Sequence, residues 1–377
     1  MSDFSDFDFS DLSEQLITHL NTPTDKFSID RFYRLLIDLA EDKTHRNMLE
    51  KALVTTKLSN EPSLKTITWQ KATTCLDEPE PVLDFVLPGL LAGGVGMINA
   101  PGATGKTNFL LKVLISLVLE IPIHDAWKNK KSGKVVFLAA EDPDDVLFLR
   151  YKAALQTIPK LTEKQKVMLD KNLHIASLTG RFPKLLTAEH NEVLHDPFWL
   201  NFIKEITTDA RLLVIDPIIR FHSLDENSSI HMTALVEQLE AIAQKNNCAI
   251  LFTHHANKSS SLNGTSDIQQ AARGSSALTD GIRWQLNLVT MSAAEAEKYV
   301  GIDDIERKKY VRVVFAKTNY APPIEDIWFY KGEGGAFKLA NLIFDEQAEH
   351  RKDIDRFIKN ITRSPVSNKN KNKGDNW

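Results

Sequence analysis

A lysine, a threonine and two glycines at a junction between a strand and a helix carry the most legible chemistry in this 377-residue chain. The apolar run Val95–Asn99 leads into Ala100-Pro-Gly-Ala-Thr-Gly-Lys-Thr107, and an apolar helix continues from Asn108. Consecutive backbone N–H groups at such a helix start attract phosphate oxygens, the lysine adds a point charge, and the threonine hydroxyl suits Mg²⁺. Pro101, Gly102, Ala103, Thr104, Gly105, Lys106, Thr107 and Asn108 are therefore expected to cradle a nucleotide's phosphates. Ala100 stands where this pattern usually has its first glycine, which changes the turn at the loop entrance and leaves the phosphate contacts. A turn that merely caps a buried helix would explain the glycines, but not Gly-Lys-Thr directly after a strand.

Phosphate chemistry also needs carboxylates. Arg211-Leu-Leu-Val-Ile-Asp216 is an apolar strand ending in an acid, and Asp216 is expected to join Thr107 in holding magnesium. Pro217 follows it and cannot act as a base, so the water-activating group must come from elsewhere. The strand beginning Lys134-Val-Val-Phe-Leu ends in Glu141-Asp142, and Glu141 is the candidate base. The alternative is that Glu141 and Asp142 only cap the helix that Pro143 begins.

These groups need a scaffold. Apolar strands at Gly94–Asn99, Val135–Ala139, Leu173–Ala176, Leu212–Ile215 and Ala249–Thr253 alternate with helical periods near 105–119, 142–155, 197–209, 231–246 and 270–279. That alternation predicts an α/β fold, a mostly parallel sheet with helices on both faces. Trp284–Val289, Tyr310–Ala316 and Asp326–Tyr330 lack long intervening helices and are expected as added antiparallel strands. Three regions follow. Residues 1–80 form an acidic tail, a short helical segment from Asp30 to about Leu58 and a proline-bearing linker over Thr73–Pro81; 81–345 form the α/β domain; 346–377 form a basic tail ending in Lys-Asn repeats.

The formal net charge is −4, which excludes a polybasic mode of nucleic-acid binding and leaves local patches. With only Cys75 and Cys248, neither a disulfide framework nor a cysteine-rich zinc site is expected. The start Met1-Ser-Asp-Phe4 is acidic where a secretory signal would be basic, and the most apolar uncharged stretch, Phe85–Ala100, is 16 residues broken by proline and glycine. The expectation is a cytoplasmic protein with no membrane partner.

Further motifs lie in order along the chain: Leu213-Val-Ile-Asp216, Thr253-His-His255, Ala272-Arg-Gly-Ser-Ser276 and Ala316-Lys-Thr-Asn-Tyr320. With the phosphate loop and Glu141, over about Pro81 to Lys338, the chain resembles the RepA-type hexameric replicative DNA helicases of plasmids and related mobile elements, within the RecA-like ATPases. The resemblance implies a RecA-like P-loop core using ATP and Mg²⁺, with His254 or His255 sensing the γ-phosphate. It also implies that Arg273 is an arginine finger acting on the neighbouring subunit's ATP, with Lys317 a second trans-acting cation. ATP sites would then lie between subunits of a homo-hexamer. The loops Pro217–Ser229, with Arg220 and His222, and Asn257–Gln270, with Lys258, would face single-stranded DNA in the channel. Residues 1–80 would be free to bind a replication partner. Two functions follow: an ATP-driven 5′-to-3′ translocase that unwinds duplex DNA, or a RecA-like regulatory or recombination ATPase that remodels a partner without unwinding.

Overall fold

A computed structural model describes residues 71–128, 131–158, 160–189, 192–256 and 276–347. A short hairpin, β1 (Phe85–Leu87) and β2 (Leu90–Leu91), leads to β3 (Val95–Ala100) and α1 (Lys106–Leu119). Next come β4 (Lys134–Ala139), α2 (Asp144–Leu155), α3 (Glu163–Asn172) and β5 (Leu173–Ser177). The chain continues through β6 (Leu186–Glu189), β7 (Glu192–His195), α4 (Pro197–Ile206), β8 (Ala210–Asp216) and β9 (His222–Ser223). Then follow α5 (Ser229–Asn246), β10 (Ala249–His255), α6 (Ser276–Gly281) and β11 (Trp284–Thr290). The last elements are α7 (Ala293–Ala296), β12 (Tyr310–Thr318), β13 (Ile327–Lys331) and β14 (Phe337–Leu339).

Among the described residues, nine strands form one sheet in the order β14-β13-β12-β11-β3-β10-β8-β4-β5. The six from β11 to β5 run parallel, and β12 to β14 add antiparallel to that edge. This is the α/β class expected from the sequence, a mostly parallel sheet with helices on both faces, with one correction. Trp284–Val289 was expected to be an antiparallel addition, yet β11 pairs parallel with β3 and antiparallel only with β12. The pairing, Trp284 opposite Gly96 through Asn287 opposite Asn99, joins segments far apart in sequence, which no local pattern around 284–289 signals.

Strands buried on both faces read as near-continuous apolar runs, and β8, buried at all 7 positions, is apolar from Leu212 to Ile215 between Arg211 and Asp216. The pleat divides its residues between two cores. Ile98, Phe137, Val214 and Leu251 join the core under α1, α2 and α3, while Met97, Leu138, Ile215 and Phe252 join the one under α4, α5 and α6. Helix α1 is apolar on nearly every side because it lies inside its layer. Phe109 meets Trp127, Phe329 and Phe337 edge-on at 5.9, 5.5 and 5.6 Å, which ties the start of α1 to the β13–β14 hairpin.

The helical segment Asp30–Leu58 and the tail from residue 348 lie outside the described residues, as does the front of the helix expected at 270–279. Among the described residues, no helix is long and apolar enough to cross a membrane.

Candidate active site

The loop between β3 and α1 has the backbone that phosphate binding needs. Gly105, before α1, has φ +100°, and a Cβ there would also sit 2.9 Å from the Phe337 ring, so only glycine fits. No side chain caps α1, so its first N–H groups are available to an anion at the mouth of a cavity of about 350 Å³. Thr104 Oγ1 closes the loop on Pro101 O at 3.0 Å. Asn108 reaches sideways, donating to Gly335 O at 3.0 Å, so it fastens the loop to the β13–β14 hairpin.

Lys106 is nearly buried, and its Nζ donates to Ala100 O at 3.0 Å and Pro101 O at 3.3 Å. Burial pushes its ammonium below the usual lysine value, while Asp216 and Glu141 hold it up. A cation already desolvated beside two carboxylates is poised for a more highly charged anion.

Thr107 Oγ1 donates to Asp216 Oδ2 at 2.6 Å, and Thr253 Oγ1 donates to Asp216 Oδ1 at 2.5 Å. The expected metal pair is therefore in contact, with Asp216 6% exposed. Carboxylate and hydroxyl oxygens form a hard donor set that fits Mg²⁺, which keeps most of its waters and takes one or two protein ligands. Sequence reasoning gave Thr253 no role. Its signal was a hydroxyl ending an otherwise apolar strand, one strand away from the acid.

Glu141 lines the same cavity, just past β4, where Ala139 pairs with Asp216. The capping alternative does not hold: α2 has Pro143 as its cap with no side-chain bond to the helix. Asp142 instead pairs with Arg150 at 2.7 Å, and Glu141 Oε1 accepts from Arg220 Nε at 3.0 Å. Burial raises the Asp142 carboxyl, and Asp216 and Glu141 add to this against Arg150. Arg150 and Lys331 line the cavity as well and were not anticipated.

The two histidines take opposite sides of β10, as adjacent residues on a strand must. His255 Nδ1 lies 3.4 Å from Lys106 Nζ and lines the cavity, and burial, then the Lys106 charge, lower its basicity. His254 points into the opposite layer, 2% exposed, with Nε2 3.1 Å from Glu226 Oε1.

The remaining expected positions divide. Arg220 is 57% exposed at the side chain, with its Nε on Glu141. His222 is not: it is 2% exposed, its Nδ1 accepts from Leu224 N, and burial depresses its pKa to about 4. Its position in a polar loop suggested a surface group, but in β9 it pairs with Leu186 of β6 as part of the small sheet β7-β6-β9 and is buried there. Lys317 lies level with Met97 across β11, behind the loop that follows Ala100, and donates to Thr279 O at 2.9 Å and Asp280 O at 3.2 Å. Burial, then Arg283, lower its basicity. Arg273 and Lys258 lie outside the described residues.

A family model described as an AAA domain matches residues 60–261. Among solved structures, a DnaB-like replicative helicase, determined with its interactions with primase, is similar at 12% identity and TM-score 0.48 over 79% of each chain. A second solved structure, an ATPase domain on its own, is similar at 15% identity and TM-score 0.44, over 78% of this chain and 99% of that one.

Two outcomes test this geometry. Thr253→Val removes one hydrogen bond that orients Asp216, and the magnesium concentration for half-maximal nucleotide binding should rise about tenfold or more. An unchanged magnesium titration would contradict the orienting role. His222, neutral in the fold, is protonated more readily when unfolded, so its burial costs nothing above pH 6.5 and destabilises the fold progressively as pH falls from 6.5 towards about 4. Thermal melts of His222→Gln should lose up to about 1.4 kcal/mol per pH unit of that acid-side slope, and an identical slope would place the titration elsewhere.

Proposed function

The chain belongs to the AAA domain family, and from that premise we propose that it is an ATP-driven translocase on single-stranded DNA, a RepA-like replicative helicase that hydrolyses ATP between subunits of a hexamer. One observation carries the reading: Lys106, the Thr107–Asp216–Thr253 contact and Glu141 converge on a single cavity at the start of α1. A binding-only protein would need the cradle but not a carboxylate at the far wall.

The helix N-terminus and Lys106 take the β- and γ-phosphates. Thr107 and Asp216 would hold magnesium, which when bound would offset charge on the transferring phosphoryl group. Glu141 accepts a proton from the attacking water as the bond to the leaving ADP oxygen breaks. His255 is the γ-phosphate sensor of the pair, because it shares the cavity with Lys106. His254 faces Glu226 in the loop after β9 and so can pass a shift of β10 to that loop.

Arg273 is the finger for a neighbouring subunit's ATP, and a permanently charged planar guanidinium suits that task. Lys317, set back from its own phosphate loop, serves as a second trans-acting cation. Arg220 and Lys258 follow the DNA backbone.

The test is phosphate release with and without single-stranded DNA, run beside unwinding of forked duplexes of both polarities. The proposal requires DNA-stimulated hydrolysis and unwinding by 5′-to-3′ movement, with partial ATPase rescue when Lys106→Ala and Arg273→Ala subunits are mixed. Hydrolysis without unwinding on either fork would move the function to a remodelling ATPase, and no rescue at any ratio would remove the shared site.

A further inference from the structure

The candidate base is not free. Arg220 Nε holds Glu141 Oε1 at 3.0 Å, and a carboxylate oxygen engaged by a guanidinium is a poor acceptor for a water's proton. The geometry around Arg220 shows how the contact is made and how it can be undone. Arg220 sits in the short turn Ile218–Phe221 that follows Asp216 and Pro217. Ile218 and Phe221 are each 0% exposed, and Arg220 N donates to Pro217 O at 3.1 Å, so the backbone of the turn is anchored. The side chain is the part that can swing. It stands at the surface, and among the described residues its partner is Glu141 alone.

A second cation lies beside it. Lys184 Nζ donates to His222 O at 2.7 Å, and its basicity is lowered by burial and then by the Arg220 charge. Two adjoining positive groups beside the nucleotide cavity form a local attractor for a polyanion on a chain whose net charge is −4. A phosphodiester offers a guanidinium two oxygens in a matching geometry, whereas Glu141 engages it through one nitrogen.

We infer that Arg220 is a positioning residue that withholds Glu141 from the attacking water until the phosphodiester backbone of a single strand takes its guanidinium. Strand binding then releases the base, and hydrolysis runs fast only on DNA. The inference rests on the translocase reading for its ligand, but the restraint on Glu141 is a property of the chain alone.

The experiment compares wild type with Arg220→Gln, full-length and matched for melting temperature, in steady-state ATP hydrolysis with and without oligodeoxythymidylate. Without DNA, kcat of the variant should rise about two- to fivefold, the range that loss of an exposed ion pair of roughly 0.4 to 1 kcal/mol converts to. KM for ATP should stay constant, since Arg220 acts on the water's side of the reaction. Stimulation by DNA should shrink towards unity. Arg220→Gln combined with Glu141→Gln should be as slow as Glu141→Gln alone, because the effect passes through that carboxylate. An unchanged or lower kcat without DNA, or a rise that survives in the double variant, would overturn the inference. Should wild type show no stimulation by DNA, the translocase reading falls while the DNA-free comparison still decides whether Arg220 restrains Glu141.

Discussion

The carboxylate of Asp216 is the constraint on which the site depends. It is 6% exposed, and a buried carboxylate is tolerable only when its oxygens have partners. Thr107 from α1 supplies one and Thr253 from β10 the other, while Ala140 N, past β4, donates to the Asp216 backbone oxygen at 2.8 Å. One residue thus holds the ends of β4, β8 and β10 flush with the start of α1. The phosphate loop sits in that corner, and Lys106 and Glu141 inherit their positions from it.

From this corner the pleat distributes function to two layers. Residues that share a face with Thr253 belong to the nucleotide side, and residues one step along belong to the opposite side. His255 faces Lys106 and His254 faces Glu226 for that reason alone. The end of β10 therefore touches the cavity of Lys106 on one face and the loop of Glu226 on the other. The β13–β14 hairpin does comparable work on the outer side, where Phe337 rests against Gly105 and Asn108 bonds to Gly335.

The sequence made the loop, Asp216 and Glu141 legible because each rests on a local pattern, glycines before a helix or an acid closing an apolar strand, whereas the histidine pair was reached only through the family resemblance. What it hid depends on contacts between distant segments. Nothing near Arg220 announces a partner 79 positions away. His222 looked like a loop group because two residues are too few to show a strand period, yet it is buried. Helix α3 was missed because Glu-Lys-Gln-Lys-Val-Met-Leu-Asp-Lys-Asn buries only Leu169 and carries almost no apolar stripe. The parallel pairing of β11 was equally hidden, since it depends on β3, nearly two hundred positions earlier, and on no pattern within 284–289.

On the proposed reading, the groups that hold the phosphates are separate from Glu141, the group that takes the water's proton. The most direct measurement is therefore ATP affinity and single-turnover cleavage by Glu141→Gln, side by side with wild type. Affinity should be retained and cleavage should fall by about a hundredfold or more. Cleavage near the wild-type rate, or affinity lost along with it, would contradict the division and make Glu141 a structural residue.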